Sequence, residues 1–208
     1  MMSTDTPTPP PVVTPVYYTN LIFDGTAVIQ TTYILPADCS IRVVVGGETS
    51  KVAQGVFIAE GGGGRIQMQY GGGTNSTRRQ FLPYYDSSSY LSSNKYLNFS
   101  YNSYGLFMTK NKFGYGTTSY TYTKGSLHPT NGISFGGGGA TPFTGFLRTV
   151  EIYGSETASL SSYDAFGNYT PIATFRPCTY NGVAGMWYVE GNTFFGNTAG
   201  SGTLTVSD

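Results

Sequence analysis

Charge is scarce in this chain: 11 Lys and Arg balance 11 Asp and Glu among 208 residues, 11% of the total with no net excess. Without an excess of either sign there is no long-range field to gather a polyanion, which disfavours a nucleic-acid partner. Histidine occurs once, at His128, and cysteine twice, at Cys39 and Cys178, too few for a zinc-type cluster. If bridged, the two cysteines would close a very long loop; two small buried thiols are the simpler reading, with a bridge left open. No apolar run approaches the roughly 18 residues of a spanning helix, so membrane insertion is not expected. Met1-Met2-Ser3-Thr4-Asp5 has neither the basic nor the apolar region of an export signal, so the chain is expected to be made in the cytoplasm and kept soluble.

What replaces charge is Gly (29), Tyr (18) and Phe (13), with much Ser, Thr and Asn. These are formers of sheets and turns. The length suits one β domain, which at this size buries roughly 70% of its unfolded-chain surface and needs no staple.

Residues 1–15 are set apart by composition. Pro7, Pro9, Pro10, Pro11 and Pro15 alternate with Thr and Val, fix φ and remove donors, so this arm favours extended polyproline II and cannot join a central strand. It is either a loose leader or an anchor laid along a neighbour, and its stiffness lowers the entropy lost on docking. From residue 16 to 208 short apolar runs alternate with turn signals. Asp24-Gly25 reads as a hairpin turn, and Gly61 to Gly64 as a second turn. In Arg65 to Tyr70, Ile66, Met68 and Tyr70 alternate with Arg65, Gln67 and Gln69, predicting one core face and one wet face. Residues 71–80 read as loop, and the stretch to Asn94 shows no convincing strand beyond its first residues. Alternation returns at Leu97, Phe99 and Tyr101, then at Tyr120 and Tyr122 beyond a turn at Lys110 to Lys112. In residues 142–153, Phe146, Val150 and Ile152 fall on one predicted face, with Arg148 expected at an edge or strand end. Only residues 156–165 have any helical character, and their Ser/Thr content limits them to a short turn.

The C-terminal fifth is the most regular part. Val183 to Val189, Thr193 to Phe195 and Thr203 to Val206 are apolar runs separated by Gly and Asn, predicting three strands and two turns, with the single Trp187 as an anchor. In this region Pro177-Cys178, Gly182 to Gly185, Trp187-Tyr188, Phe194-Phe195 and Gly200 to Thr205 stand in an order that resembles the end of the laminin-G-like, concanavalin A-like domains of bacteriophage virion proteins and gut-bacterial surface proteins. The start is similar to the same family at Gly25 to Thr31, Pro36 and Ile41 to Val45, as are Phe143, Gly145, Leu147, Ile152 and Tyr153. One departure is Val189, where the pattern usually has Asp. The resemblance implies an all-β jelly-roll sandwich of two antiparallel sheets, concanavalin A-like, over residues 16–208.

Catalytic constellations are not legible. Asp24, Asp38, Glu48, Glu60, Asp86, Glu151, Glu156, Asp164 and Glu190 show no paired-acid spacing, and Glu151, inside a confident strand, reads as a solvated sheet-face residue. His128 precedes Pro129 in a loop with no Ser or Cys partner pattern, and neither glycine run carries the Lys-Ser/Thr of a phosphate loop. No three carboxylates or amides cluster as a calcium loop requires, so no metal or cofactor is expected. Binding has better material. Tyr84, Tyr85 and Tyr90, with Arg78 and Arg79 upstream, place amphipathic rings and donors in the least regular stretch, either for sugar contact or for ordinary packing. The resemblance implies a non-enzymatic virion protein, a capsid decoration, head fibre or tail-associated component, held by its arm and displaying a lectin-like domain. Its partners would be other virion proteins and a host-surface glycan, with self-association allowed. A stand-alone carbohydrate-binding module is the alternative.

Overall fold

The computed structural model describes residues 13–47, 53–62, 64–71, 78–85, 95–98, 103–122, 128–137 and 143–208. Among them the strands are β1 (Val16–Tyr17), β2 (Asn20–Asp24), β3 (Ile29–Ile34), β4 (Ser40–Gly46), β5 (Ala53–Gly61), β6 (Gly64–Gly71), β7 (Arg78–Tyr85), β8 (Lys95–Asn98) and β9 (Ser103–Met108). They continue with β10 (Lys112–Tyr115), β11 (Thr118–Thr121), β12 (Gly132–Phe135), β13 (Thr144–Tyr153), β14 (Ala173–Tyr180), β15 (Val183–Tyr188), β16 (Thr193–Phe195) and β17 (Leu204–Ser207). Residues 154–172 form a strap containing two 3-10 turns, Ser155–Thr157 and Asp164–Asn168, one more than the single short turn expected there.

The strands make two antiparallel sheets. The larger runs β11-β10-β9-β4-β13-β14-β15-β16, with β1 against β14 and β2 between β13 and β17; the smaller runs β3-β12-β5-β6-β7-β8. Alternation then builds the core. Leu21 and Phe23, Ile41, Val43 and Val45, Leu147, Val150 and Ile152, and Phe175 from one layer meet Ile29, Phe57, Ala59, Ile66, Met68 and Phe135 from the other. The Phe135 and Phe175 rings, 5.3 Å apart and steeply inclined, join the layers at the centre. The fold is the all-β two-sheet antiparallel sandwich that the sequence predicts.

The three C-terminal strands lie where expected, as does the turn between β15 and β16, with Asn192 at φ 48°, and one more strand, β14, precedes them. Asn181 and Gly182, at φ 51° and 76°, close the β14–β15 hairpin, which is why that pair must tolerate the left-handed region. β17, however, pairs with β2 and not with β16, because the intervening loop first runs out to β3: Asn197 Oδ1 accepts from Val28 N at 3.1 Å and Thr198 Oγ1 from Gln30 N at 3.1 Å. That loop covers the β3 edge of the smaller sheet. Gly202 then passes so close that a Cβ would lie 2.5 Å from Ala27 N, so no larger residue fits there without movement.

Five expectations are corrected. Asp24-Gly25 does not close a hairpin, since β2 lies in the larger sheet and β3 in the smaller; the turn crosses between layers. Its carboxylate accepts from Thr26 N at 2.9 Å and Ala27 N at 3.0 Å, and from Thr203 N at the start of β17. Phe146 does not share the face of Val150 and Ile152, and Arg148 is at neither an edge nor a strand end. The β4–β13 register shifts between Leu147 and Val150, and this extra residue carries Leu147 onto the core face. Arg148 sits at that bulge, where the neighbour of β13 changes from β2 to β14, and donates from Nε to Asn20 Oδ1 at 3.1 Å. Gln67, expected on a wet face, is fully buried. Finally, Arg78 to Tyr85, read as loop or irregular chain, form β7 between β6 and β8. The ladder bonds of two neighbours hold this segment extended, although its own residues include Pro83 and show weak alternation. The expected alternation at Phe99 and Tyr101 lies outside the described residues.

Candidate functional site

The predicted binding residues separate into those the fold places and those beyond it. Arg78, Arg79, Tyr84 and Tyr85 lie on β7, with Gln67 opposite Tyr84 and Ile66 opposite Tyr85, so they are positioned by a sheet and not by a loop. Tyr90 lies outside the described residues, as do Pro7, Pro9, Pro10 and Pro11 of the arm. Pro15 is half-buried and leads directly into β1.

Where the arm enters, β1 is stitched to β14 with Val16 opposite Thr179 and Tyr17 opposite Cys178. Tyr18 N donates to the Pro177 carbonyl at 3.0 Å. Pro177 therefore turns its missing N–H toward the gap between β13 and β1, where no ladder bond is required. The Arg176 guanidinium stacks on the Tyr17 ring at 4.1 Å. On the same outer face Tyr180 packs against Trp187 at 5.3 Å and against Phe194 at 5.5 Å. On this face Val183, opposite Tyr180, is 52% exposed and Tyr17 37%, whereas Val16, opposite Thr179, is 56% exposed on the other face of the sheet. These strands present an aromatic and aliphatic outer surface beside the point where the arm joins.

Over β4, β9, β10 and β13 the outer face is covered by the strap. Phe107, Tyr153 and Phe166 form a second small core there, with Leu160 and Tyr163 against it. Beneath the strap, Arg42 and Glu151 form an ion pair, their side chains only 17% and 19% exposed, and Tyr153 Oη donates to the same carboxylate at 3.1 Å. Glu151 is thus not the solvated residue expected: its strand face is roofed by a segment distant in sequence. Burial works against the Arg42 guanidinium, but its hydrogen bond and proximity to Glu151 outweigh this and it holds its proton more tightly than usual. Arg42 also lies 5.1 Å from the Tyr163 ring centre.

Tyr163 connects this cluster to a surface depression of about 290 Å³, lined by Ser103, Tyr104, Gly105, Tyr115, Gly116, Thr117 and Thr118. The β10–β11 hairpin turns on Gly116 and Thr117, with Gly116 at φ 51°. Gly116 N donates to Gly105 O at 3.0 Å and Tyr163 N to Gly116 O at 2.8 Å. Sequence reasoning missed this site. Its only local signal is a glycine turn beside Tyr115, and the residues that shape it come from three separated segments.

Several other reactive groups among the described residues are engaged in structure, while Glu48 and Asp86 lie outside those residues. Cys178 and Cys39 are buried thiols, and burial pushes Cys178 up to about 11. Asp38 pairs with Lys110 and Glu60 with Arg65, while the Glu190 carboxylate accepts from Thr174 N at 2.7 Å. His128 Nε2 lies against the Leu35 carbonyl. Among the described residues no three His, Cys, Asp or Glu converge to hold a metal ion.

No protein-family model and no curated protein matches the sequence. Among solved structures the chain is similar to the native heptameric SAP-like pentraxin from Limulus polyphemus, with a TM-score of 0.59 and 13% identity over 92% of this chain and 96% of that one. An identity this low speaks for the fold and not for the activity. The antiparallel two-sheet sandwich described above is therefore a pentraxin-like, concanavalin A-like fold.

Proposed function

We propose that this chain is a non-enzymatic display protein of a bacteriophage particle, a capsid decoration, head fibre or tail-associated component, carrying a lectin-like sandwich and attached through its N-terminal arm. The observation that carries the reading is the way the arm enters the fold. Residues Val16 and Tyr17 are built into the larger sheet beside β14, so a load on the preceding Pro/Thr segment is transmitted to a ladder and not to a loose end. The exposed Tyr17 and Val183, on one face of this sheet, extend an attachment surface around that point. A non-catalytic role is supported by the engagement of Glu151, Asp24, Asp38, Glu60 and Glu190 in structural pairs and turns. The resemblance of the chain's motifs to phage and gut-bacterial surface domains supports the virion setting.

The test is mass spectrometry of purified particles carrying the full chain or a version lacking residues 1–15. The full chain is expected in particles and the shortened one is not. Absence of both from particles overturns the virion reading. A second reading, a stand-alone carbohydrate-binding module, is favoured by the hydroxyl- and tyrosine-lined depression at Ser103 and Thr118.

A further inference from the structure

We infer that the depression between the start of β9 and the β10–β11 turn is a binding site for a pyranose ring of a neutral glycan. The inference rests on the glycan-binding part of the reading above and assigns it a place different from β7. Its volume, about 290 Å³, lies at the small end of ligand pockets, suited to one ring or two and not to an extended polymer. Its chemistry is that of a sugar on two counts. Ser103, Thr117 and Thr118 supply hydroxyls able both to donate and to accept, matching the mixed donor and acceptor edge of a polyol. Tyr115, partly exposed and braced edge to face at 6.4 Å by the buried Tyr104, supplies aromatic surface for the apolar C–H face of the ring.

Among the described residues lining it there is no carboxylate, ammonium or guanidinium group. A charged ligand would lose its hydration without gaining a counter-charge, so the site favours a neutral one. The floor is pre-formed. Gly105 and Gly116 are hydrogen-bonded to each other, Tyr163 N ties Gly116 to the strap, and the Tyr163 ring sits so close to Gly105 that a Cβ there would lie 2.8 Å from it. Arg42 in turn stacks on Tyr163 at 5.1 Å. A floor held on both sides loses little further freedom when a ligand arrives.

The experiment uses the full chain, labelled with ¹⁵N and titrated separately with maltotriose, cellotriose, mannotriose and chitotriose while backbone amide shifts are followed. At least one sugar should move the amides of Ser103 to Gly105 and Tyr115 to Thr118, with a dissociation constant on the order of millimolar or lower. Thr117→Trp, at an exposed turn position, should weaken that binding at least about tenfold while leaving the dispersed spectrum of the folded domain, an effect on the order of 1.4 kcal/mol. Thr118→Ala, a smaller change that keeps the fold, should weaken it by about threefold. Shifts confined to Arg78 to Tyr85 would overturn this location and leave glycan binding standing. No shift with any of the four sugars would overturn the inference, whereas the particle experiment alone decides the virion reading.

Discussion

Arg42 on β4 and Glu151 on β13 stand opposite each other in the ladder of the larger sheet and form an ion pair roofed by residues 154–172. Two charges from strands 109 positions apart are thereby enclosed together with the Tyr153 hydroxyl. Removing one partner strands the other in a poorly solvated place. Arg42→Met and Glu151→Gln should each destabilise the domain by about 2–3 kcal/mol in urea titrations, below the cost at a fully dry site because some solvent reaches the pair. The double variant should recover part of that loss. Strict additivity of the two would refute the coupling.

Gly105 carries the Tyr163 ring directly on its Cα. Gly105→Ala should cost about 1–3 kcal/mol, since a methyl must displace either the ring or the strap. Adding Tyr163→Ala should relieve the clash, so that Gly105→Ala costs less in that background. An equal cost in both backgrounds would place the strain elsewhere.

The Asp24 carboxylate is held down to about 2 from 3.8, first by the backbone N–H of Thr26 and then by that of Thr203. Because the folded state lowers it, the stabilisation is complete above the unfolded value, near pH 4, and is lost as pH falls through about 2. Hydrogen-exchange protection factors at Thr203 and along β17, which are normalised for the intrinsic pH dependence of exchange, should therefore fall on acidification across that window in the wild type. In Asp24→Asn the protection factors should be low throughout and lack that step. A wild-type profile flat between pH 4 and 2 would count against the role of Asp24 at this turn.

Cys178 is buried with its thiol pushed up to about 11 by desolvation. The thiolate is the reactive species, so native protein at pH 8 should resist iodoacetamide at both Cys178 and the buried Cys39, and both should alkylate at once in denaturant. Rapid labelling of Cys178 in the native state would show that its strand opens far more readily than a central β14 should.

Some of the candidate site was legible before the fold and most was not. Gly191-Asn192 could be read as the turn between β15 and β16 because the requirement is local, a residue tolerant of positive φ between two apolar runs. The entry of the arm could be read from the proline run that ends at Pro15. By contrast, Arg78 to Tyr85 look like loop in isolation, since weak alternation and Pro83 hide a strand that exists through β6 and β8. Glu151 looked solvated because the strap above it cannot be foreseen from the alternation of its own strand. The Ser103 and Thr118 depression escaped notice for the same reason: β9, the β10–β11 turn and Tyr163 meet only after folding.

By itself the sequence determined an all-β chain with its turns at particular Gly and Asn pairs, because period-two alternation and tolerance of positive φ are properties of neighbouring residues. The tertiary structure alone decided which sheet each strand joined, sending Asp24-Gly25 across the layers and β17 back to β2, and shifting β13 by one residue at Arg148. Those outcomes depend on contacts such as Asn197 with Val28, 169 positions apart, whose free energy exists only when both segments have already found their places.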